Sequence, residues 1–394
     1  MLDFRLMTPA DEKWMRLALE EARKGEGGTR PNPPVGAVLI RDGELLACGH
    51  HSKAGGLHAE TDALRRAAAL GADVAGATLY VTLEPCSTHG RVPPCTDAIC
   101  AAKIARVVVG VVDRNPRHAG RGFGILRDAG IAVERYPEGT PLAAEMEAIV
   151  EPFFRHQCTG KPFVILKMAQ TLDGAIADHA GVSKWITNTA SRRAVAQLRR
   201  RSDVVLVGCG TVLADDPSLL RKTDLCEFPE EGLPGMRCVL DARGRIPATA
   251  RIFTDGHASQ TIVATSLLCP KETAAAWRAT GATVWGLPLR FPAGTQEDLA
   301  APELDLEALM RRMGEAGFLQ VLCEGGSTLA TAMVAQGLAD EIYLFVAPKI
   351  LGAGSLRTFG GQPFDLPTAP RFRITDVRNM EGDLLIRMRL ENNG

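Results

Sequence analysis

His58-Ala59-Glu60, followed further on by Glu84-Pro85-Cys86-Ser87-Thr88-His89-Gly90-Arg91-Val92-Pro93-Pro94-Cys95, places the His58 imidazole, the Glu60 carboxylate and the Cys86 and Cys95 thiols within a short reach of chain. One imidazole and two thiolates suit tetrahedral zinc, and three protein ligands leave a fourth position for water, as catalytic sites do and structural sites do not. Zinc makes water reactive near neutral pH. Glu60 stands two residues after His58, too close for a comfortable fourth ligand and well placed to carry a proton to and from that water. Such an arrangement attacks a ring carbon that bears an amino group and delivers a proton to the departing ammonia. His58, Cys86 and Cys95 are therefore read as metal ligands and Glu60 as the catalytic acid and base.

Working outward, residues 58–70 read as a helix with the ligand and Glu60 in its first turn. Cys95 stands at the start of another helix, 96–102, where the positive helix end favours the metal-binding thiolate. A turn made by Pro93-Pro94 explains the same placement, and both readings hold together. Thr8-Pro9 with Asp11-Glu12 starts a helix whose apolar stripe is Trp14, Leu17, Ala18 and Ala22. Residues 35–40 and 45–48 flank Arg41-Asp42-Gly43-Glu44, a hairpin signal. A strand at 78–83, a strand at 106–112, a helix at 124–129 and a strand at 131–134 complete an alternation that implies a layered α/β domain.

His-x-Glu with Pro-Cys is the signature of zinc nucleobase deaminases. Those usually carry Cys-x-x-Cys, whereas residues 87–94 separate the thiols here. The insert must loop out and line the pocket, which points to a substrate other than a plain base. Two bland readings stand beside this one: a purely structural zinc site, and buried cysteines that act as small core residues.

Pro31-Asn32-Pro33-Pro34-Val35-Gly36, Gly49-His50-His51, Ala54-Gly55-Gly56-Leu57-His58-Ala59-Glu60 and the Cys86 to Cys95 segment together resemble the bifunctional deaminase/reductase family of riboflavin biosynthesis. The resemblance implies a cytidine-deaminase-like three-layer α/β/α domain followed by a dihydrofolate-reductase-like α/β domain, α/β throughout. It also implies hydrolytic deamination of a phosphoribosylamino-diaminopyrimidine on one zinc ion, then NADPH reduction of the ribose to a ribityl chain. A homodimer through the reductase half is a further implication. His51, on the family's Gly-x-His position, and Lys53 are second-rank pocket candidates, His51 either orienting the pyrimidine or phosphate or standing as a satisfied structural group, and Asn32 is a further candidate substrate contact beside His51. The amide of Asn32 either bonds the ring or stabilises its Pro-Asn-Pro turn.

A chain of 394 residues exceeds the usual single domain, so two are expected, residues 1–157 and 158–394, joined through a helical segment 137–152 that ends at Glu151-Pro152. The formal net charge of −1 offers no basic field for a nucleic acid. Ten cysteines spread from Cys48 to Cys323 without paired spacing read as reduced thiols, and no early apolar stretch suggests a membrane span. The expectation is a soluble cytoplasmic enzyme acting on a small molecule, with neither nucleic acid nor membrane as partner.

In the second half, residues 163–168 read as a strand and 191–201 as a helix. Strands at 203–208 and 318–324 run into Gly208-Cys209-Gly210-Thr211 and Gly325-Gly326-Ser327-Thr328. Ser327 is expected to cap the helix that follows, leaving backbone amides free to hold a phosphate. Gly120-x-Gly122-x-Gly124 lacks the strand context of a dinucleotide fingerprint. Lys167 to Gly174, Ser183-Lys184-Trp185-Ile186-Thr187, residues 207–217 and Glu324-Gly325-Gly326 resemble the family's reductase domain. That resemblance implies cofactor contacts from Ala169, Trp185, Thr211, Gly325, Gly326, Ser327 and Thr328, and substrate contacts from Ser183, Arg199, Asp215 and Glu324. Arg199 is the one guanidinium of its helix read as fixed for a sugar phosphate. Three positions depart from the family: Arg221-Lys222 where one arginine is expected, Ala242 where a hydroxyl is usual, and Thr88 with His89 beside it. Residues 222–234 are polar and acidic and read as a surface loop or a partly disordered stretch.

Overall fold

Strands whose neighbouring residues are all apolar must be covered on both faces, and this chain builds two sheets of that kind. The computed structural model describes residues 7–88, 93–115, 119–221, 235–291, 302–361 and 364–391. His89, Lys222 and the 222–234 loop lie outside the described residues. The chain divides into two compact units between Gly160 and Lys161.

The first unit runs α1 (Pro9–Lys24), β1 (Gly36–Arg41), β2 (Glu44–His50), α2 (Ala59–Ala69), β3 (Thr78–Leu83), α3 (Cys95–Ala101), β4 (Arg106–Val111), α4 (Arg121–Asp128), β5 (Ala132–Arg135) and α5 (Pro141–Thr159). Its sheet order is β2-β1-β3-β4-β5; β1 is antiparallel to both neighbours, and β3, β4 and β5 are parallel. Side chains alternate between faces. Leu79, Val81, Val107 and Val109 meet Ala59, Ala63 and Ala67 of α2, Ile99 of α3 and Leu126 of α4. Tyr80 and Val108 meet Met15, Ala18 and Leu19 of α1 and Leu142, Met146 and Val150 of α5. The result is the three-layer α/β/α arrangement. Asp42 and Gly43, both with left-handed φ (52° and 82°), turn the expected hairpin. Thr8 and Asp11 form a reciprocal capping box on α1, with proline in its first turn.

Two boundaries differ from expectation. His58 is the extended N-cap residue of α2, with φ −71° and ψ 160°, so only Glu60 lies in the first turn. The connecting helix passes through Pro152 and ends at Thr159, with Gly160 left-handed as its cap. Phe154 beyond the proline is 3 % exposed, and burying it outweighs one lost helix hydrogen bond.

The second unit runs β6 (Phe163–Thr171), β7 (Ala175–Ala177), α6 (Thr189–Arg201), β8 (Val204–Gly208), α7 (Cys209–Asp215), β9 (Met236–Leu240), α8 (Arg251–Thr254), β10 (Thr261–Thr265), α9 (Lys271–Ala279), β11 (Thr283–Gly286), β12 (Leu289–Arg290), β13 (Glu303–Leu304), α10 (Leu306–Glu315), β14 (Gln320–Cys323), α11 (Ser327–Ala335), β15 (Glu341–Ala347), β16 (Leu356–Arg357), β17 (Phe372–Met380) and β18 (Asp383–Leu390). The main sheet has the order β11-β10-β9-β8-β14-β6-β15-β18-β17, parallel up to β15 and closed by an antiparallel pair. Val164, Leu166, Leu206 and Val321 face α10 and α11, while Val205, Val207, Val239 and Val263 face Ile252, Phe253 and Trp277. Ile165 and Leu322 pack with Leu198 of α6. No helix among the described residues is long and apolar enough to cross a membrane.

Candidate active sites

The first site forms where α2 and α3 begin. A Cβ on Gly49 of β2 would lie 2.3 Å from the Ala63 nitrogen and 2.4 Å from the Ala59 oxygen, so only a bare backbone lets α2 pack this close to the sheet. The helix start thereby carries His58 to the two thiols. His58 Nδ1 is 3.5 Å from Cys86 Sγ and 3.3 Å from Cys95 Sγ, and the three ligand atoms lie within 4.8 Å of one another. The Cys95 backbone N–H donates to Cys86 Sγ at 3.2 Å. Three converging donors of this softness fit a zinc ion with room for one exchangeable ligand.

Burial raises the Glu60 carboxyl, and the Cys86 sulfur beside it adds to the effect, bringing it to about 7. Glu60 is 4 % exposed and Cys95 is fully buried, while His58 and Cys86 are only half-buried. A hydrogen bond with Cys95 holds the Cys86 thiol down to about 4 against burial, and the same bond together with burial pushes Cys95 up. The hydrogen bond from Cys86 raises the His58 imidazole. Of the two thiols, Cys86 is the one held towards the thiolate form.

His51 is 2 % exposed and uses both ring nitrogens. Nδ1 donates to the Leu57 carbonyl at 2.8 Å, and Nε2 lies 3.1 Å from Asn32 Nδ2, which donates to it. Burial lowers its pKa, consistent with that neutral tautomer. Its ring meets His58 edge-on at 5.3 Å. His51 thus ties the Pro31-Asn32-Pro33 turn to the ligand's neighbour and fixes which end of the Asn32 amide is free. Lys53 and Thr88 are exposed.

The second site collects at the carboxyl ends of parallel strands, the usual crevice of an open α/β sheet. Thr211 Oγ1 in the first turn of α7 donates to the Gly325 carbonyl at 2.8 Å. Gly325 has φ +30°, and a Cβ on Gly326 would lie 3.2 Å from Thr211 Oγ1, so the turn after β14 is seated on Thr211. Ala169 is half-buried on β6, and Trp185 is 63 % exposed with Arg192 over its ring. Thr328 lies beside Gly361. Ser327 does not cap α11: Gly326 is the cap residue, and Ser327 Oγ donates to the Arg357 carbonyl at 2.7 Å, a partner thirty residues away in sequence.

Ser183 Oγ donates to Asp215 Oδ1 at 3.3 Å, and Lys184 Nζ reaches the Asp215 carbonyl at 3.3 Å. Arg199 directs Nε and one terminal nitrogen at the two oxygens of Glu324, the second bond being 3.0 Å. Two of the three guanidinium nitrogens are thus engaged by a carboxylate. Lys167 Nζ, which sequence reasoning left inside a motif without a role, is 3.5 Å from Glu324 Oε2. Burial would raise Glu324, but the Arg199 and Lys167 charges outweigh it and hold the carboxyl down to about 2. Two cations around one carboxylate leave a net positive charge. Arg221 donates to the Ser202 carbonyl at 2.9 Å, and the Ala242 carbonyl accepts from Ser266 Oγ at 2.8 Å.

Residues 8–111 match the family model described as cytidine and deoxycytidylate deaminase zinc-binding region, and residues 162–386 match the RibD C-terminal domain. The chain is similar to the riboflavin biosynthesis protein RibD of Escherichia coli, 38 % identical over 391 residues, which covers 96 % of this chain and 99 % of that protein. Its Aquifex aeolicus counterpart is 38 % identical over 377 residues, covering 95 % and 97 %. Among solved structures, Acinetobacter baumannii RibD (form 1) superposes with a TM-score of 0.81 at 34 % identity, covering 97 % of this chain and 99 % of the other. The Thermotoga maritima diaminohydroxyphosphoribosylaminopyrimidine deaminase/5-amino-6-(5-phosphoribosylamino)uracil reductase gives 0.80 at 35 %, with the same coverage.

Proposed function

The chain belongs to the family of the riboflavin biosynthesis protein RibD, the bifunctional deaminase and reductase, and on that premise we propose which of its residues carry each reaction. The deaminase acts on 2,5-diamino-6-(5-phosphoribosylamino)pyrimidin-4(3H)-one. A C–O bond from water replaces a C–N bond, and ammonia leaves. Zinc, when bound by His58, Cys86 and Cys95, supplies Lewis acidity and activates water. Glu60 takes the proton from the attacking water and returns it to the departing amine. A carboxyl near neutrality is suited to both directions of that transfer, and this buried Glu60 beside the ligand cluster is the observation that carries the reading. Asn32 contacts the pyrimidine and is held in its orientation by His51.

The reductase acts on 5-amino-6-(5-phosphoribosylamino)uracil and converts its ribose to the ribityl chain. NADPH supplies the hydride. Ala169, Trp185, Thr211 and the Gly325-Gly326-Ser327-Thr328 turn hold the cofactor, and Ser183 and Asp215 contact the substrate. The cationic surroundings of Glu324 favour the negative charge that hydride addition develops, and Lys167 is the group placed to return a proton. Orientation does the larger share, since the reaction asks little more of the protein than a fixed geometry and one proton. We place the deaminase in residues 1–157 and the reductase in 158–394, in a cytoplasmic enzyme.

The test follows ammonia release and NADPH oxidation separately when zinc-loaded protein receives the diaminopyrimidine. Both signals are expected, with oxidation dependent on prior deamination. Ammonia without oxidation would refute the reductase assignment, and absence of both would refute the whole reading.

A further inference from the structure

β3 ends at Leu83, and the chain then leaves the sheet and carries Cys86 towards the metal site. Glu84, at the root of this segment, is 7 % exposed, and its two oxygens receive three backbone N–H groups. Oε2 accepts from Asp113 at 3.2 Å and Gly120 at 3.1 Å, and Oε1 accepts from Gly122 at 3.0 Å. Gly120 is the N-cap residue of α4, so the carboxylate sits on the positive end of that helix. A Cβ on Gly122 would lie 2.6 Å from the Pro85 carbonyl oxygen, so the first turn of α4 abuts the residue before Cys86. From the other side, Thr96 of α3 donates its N–H to the Cys86 carbonyl at 3.3 Å, alongside the Cys95 N–H to Cys86 Sγ. The Cys86 segment is thereby anchored to the starts of two helices. The Gly120-x-Gly122-x-Gly124 stretch, which matches no dinucleotide fingerprint, has its use here: its amides receive an internal carboxylate.

We propose that Glu84 is a positioning residue of the zinc site, fixing through α4 the backbone from which Cys86 reaches the metal. The proposal rests on the zinc reading above. Glu84 touches neither the metal nor the substrate; it limits how far the Cys86 thiolate can drift from His58 and Cys95. Glutamine has the same shape but turns an NH2 group towards N–H donors, so the anchor fails without a change in volume.

The test uses full-length zinc-loaded protein as wild type, Glu84→Gln and Gly122→Ala. Zinc content is measured, then the rate of zinc transfer to a chromogenic chelator, and then the thiolate-to-metal charge-transfer band of the cobalt-substituted forms. Glu84→Gln is expected to release zinc about 10- to 100-fold faster, the range typical of groups that support metal ligands, with a shifted cobalt band and wild-type reductase activity. Gly122→Ala, which keeps the Glu84 carboxylate in the sequence but presses α4 away from the Pro85 carbonyl and from Glu84 itself, is expected to do the same. Wild-type release rates and cobalt bands in Glu84→Gln would overturn the proposal. If that variant does not fold, a wild-type rate in Gly122→Ala overturns it alone. A wild-type protein that takes up no zinc would instead remove the zinc reading beneath it.

Discussion

Glu60 and Glu324 are both buried carboxylates, yet they end on opposite sides of the ordinary range, near 7 and near 2. Burial raises both; what differs is the neighbour, a sulfur in one case and two cations in the other. The sign of the consequence for Glu324 follows directly. Its folded pKa is depressed, so the stability it contributes is complete above the unfolded value near 4.5 and is lost as pH falls towards 2. Arg199→Met leaves that carboxylate with Lys167 alone, and we expect a loss of about 3–5 kcal/mol in urea denaturation at neutral pH. The onset of acid destabilisation should also move to higher pH. Unchanged stability at every pH would show that the pair is not coupled as described. Of these residues, the His58–Cys86–Cys95 cluster was legible in sequence because spacing and donor type define it. The Lys167–Glu324 contact was not, since it joins β6 to β14 across 157 residues of chain. The engagement of His51 at both ring nitrogens was not legible either.

At the scale of elements, the position of α2 is set by the absence of a side chain at Gly49. Alanine there meets backbone atoms at 2.3 and 2.4 Å, which cannot move without moving the helix. Gly49→Ala is therefore expected to cost about 1–3 kcal/mol by overpacking and, by shifting the helix that starts at His58, to lower zinc content and deamination together. Full zinc occupancy in the folded variant, measured by elemental analysis, would contradict this. The alternation of strands and helices was readable from apolar runs and turn residues, and the Asp42-Gly43 hairpin formed as read. Helix ends were harder. Pro152 resembles a stop signal, but Phe154 draws the helix onward into the core. Ser327 resembles a cap, but its hydroxyl is claimed by Arg357, from a segment that only folding brings near. Local rules fail in both cases because a distant partner outweighs them.

For the whole molecule, the succession of two chemistries along one chain matches the order in which the substrate needs them. β17 and β18 close the large sheet and carry exposed Ile374, Val377 and Leu384, 58 %, 55 % and 41 % accessible. We propose that the homodimer implied by the resemblance forms through this exposed apolar surface of the second unit. Light scattering should give twice the chain mass, and Val377→Lys should halve it; a monomeric wild type would refute the proposal. The most direct test of the central claim separates the two activities with one substitution. Glu60→Gln is assayed for zinc content, for ammonia from the diaminopyrimidine and for NADPH oxidation with the deaminated uracil supplied directly. We expect full zinc, a fall in deamination of about 10²- to 10⁴-fold and wild-type reduction. Deamination at the wild-type rate with zinc retained would show that Glu60 does not move the proton, and the account of the first site would fail.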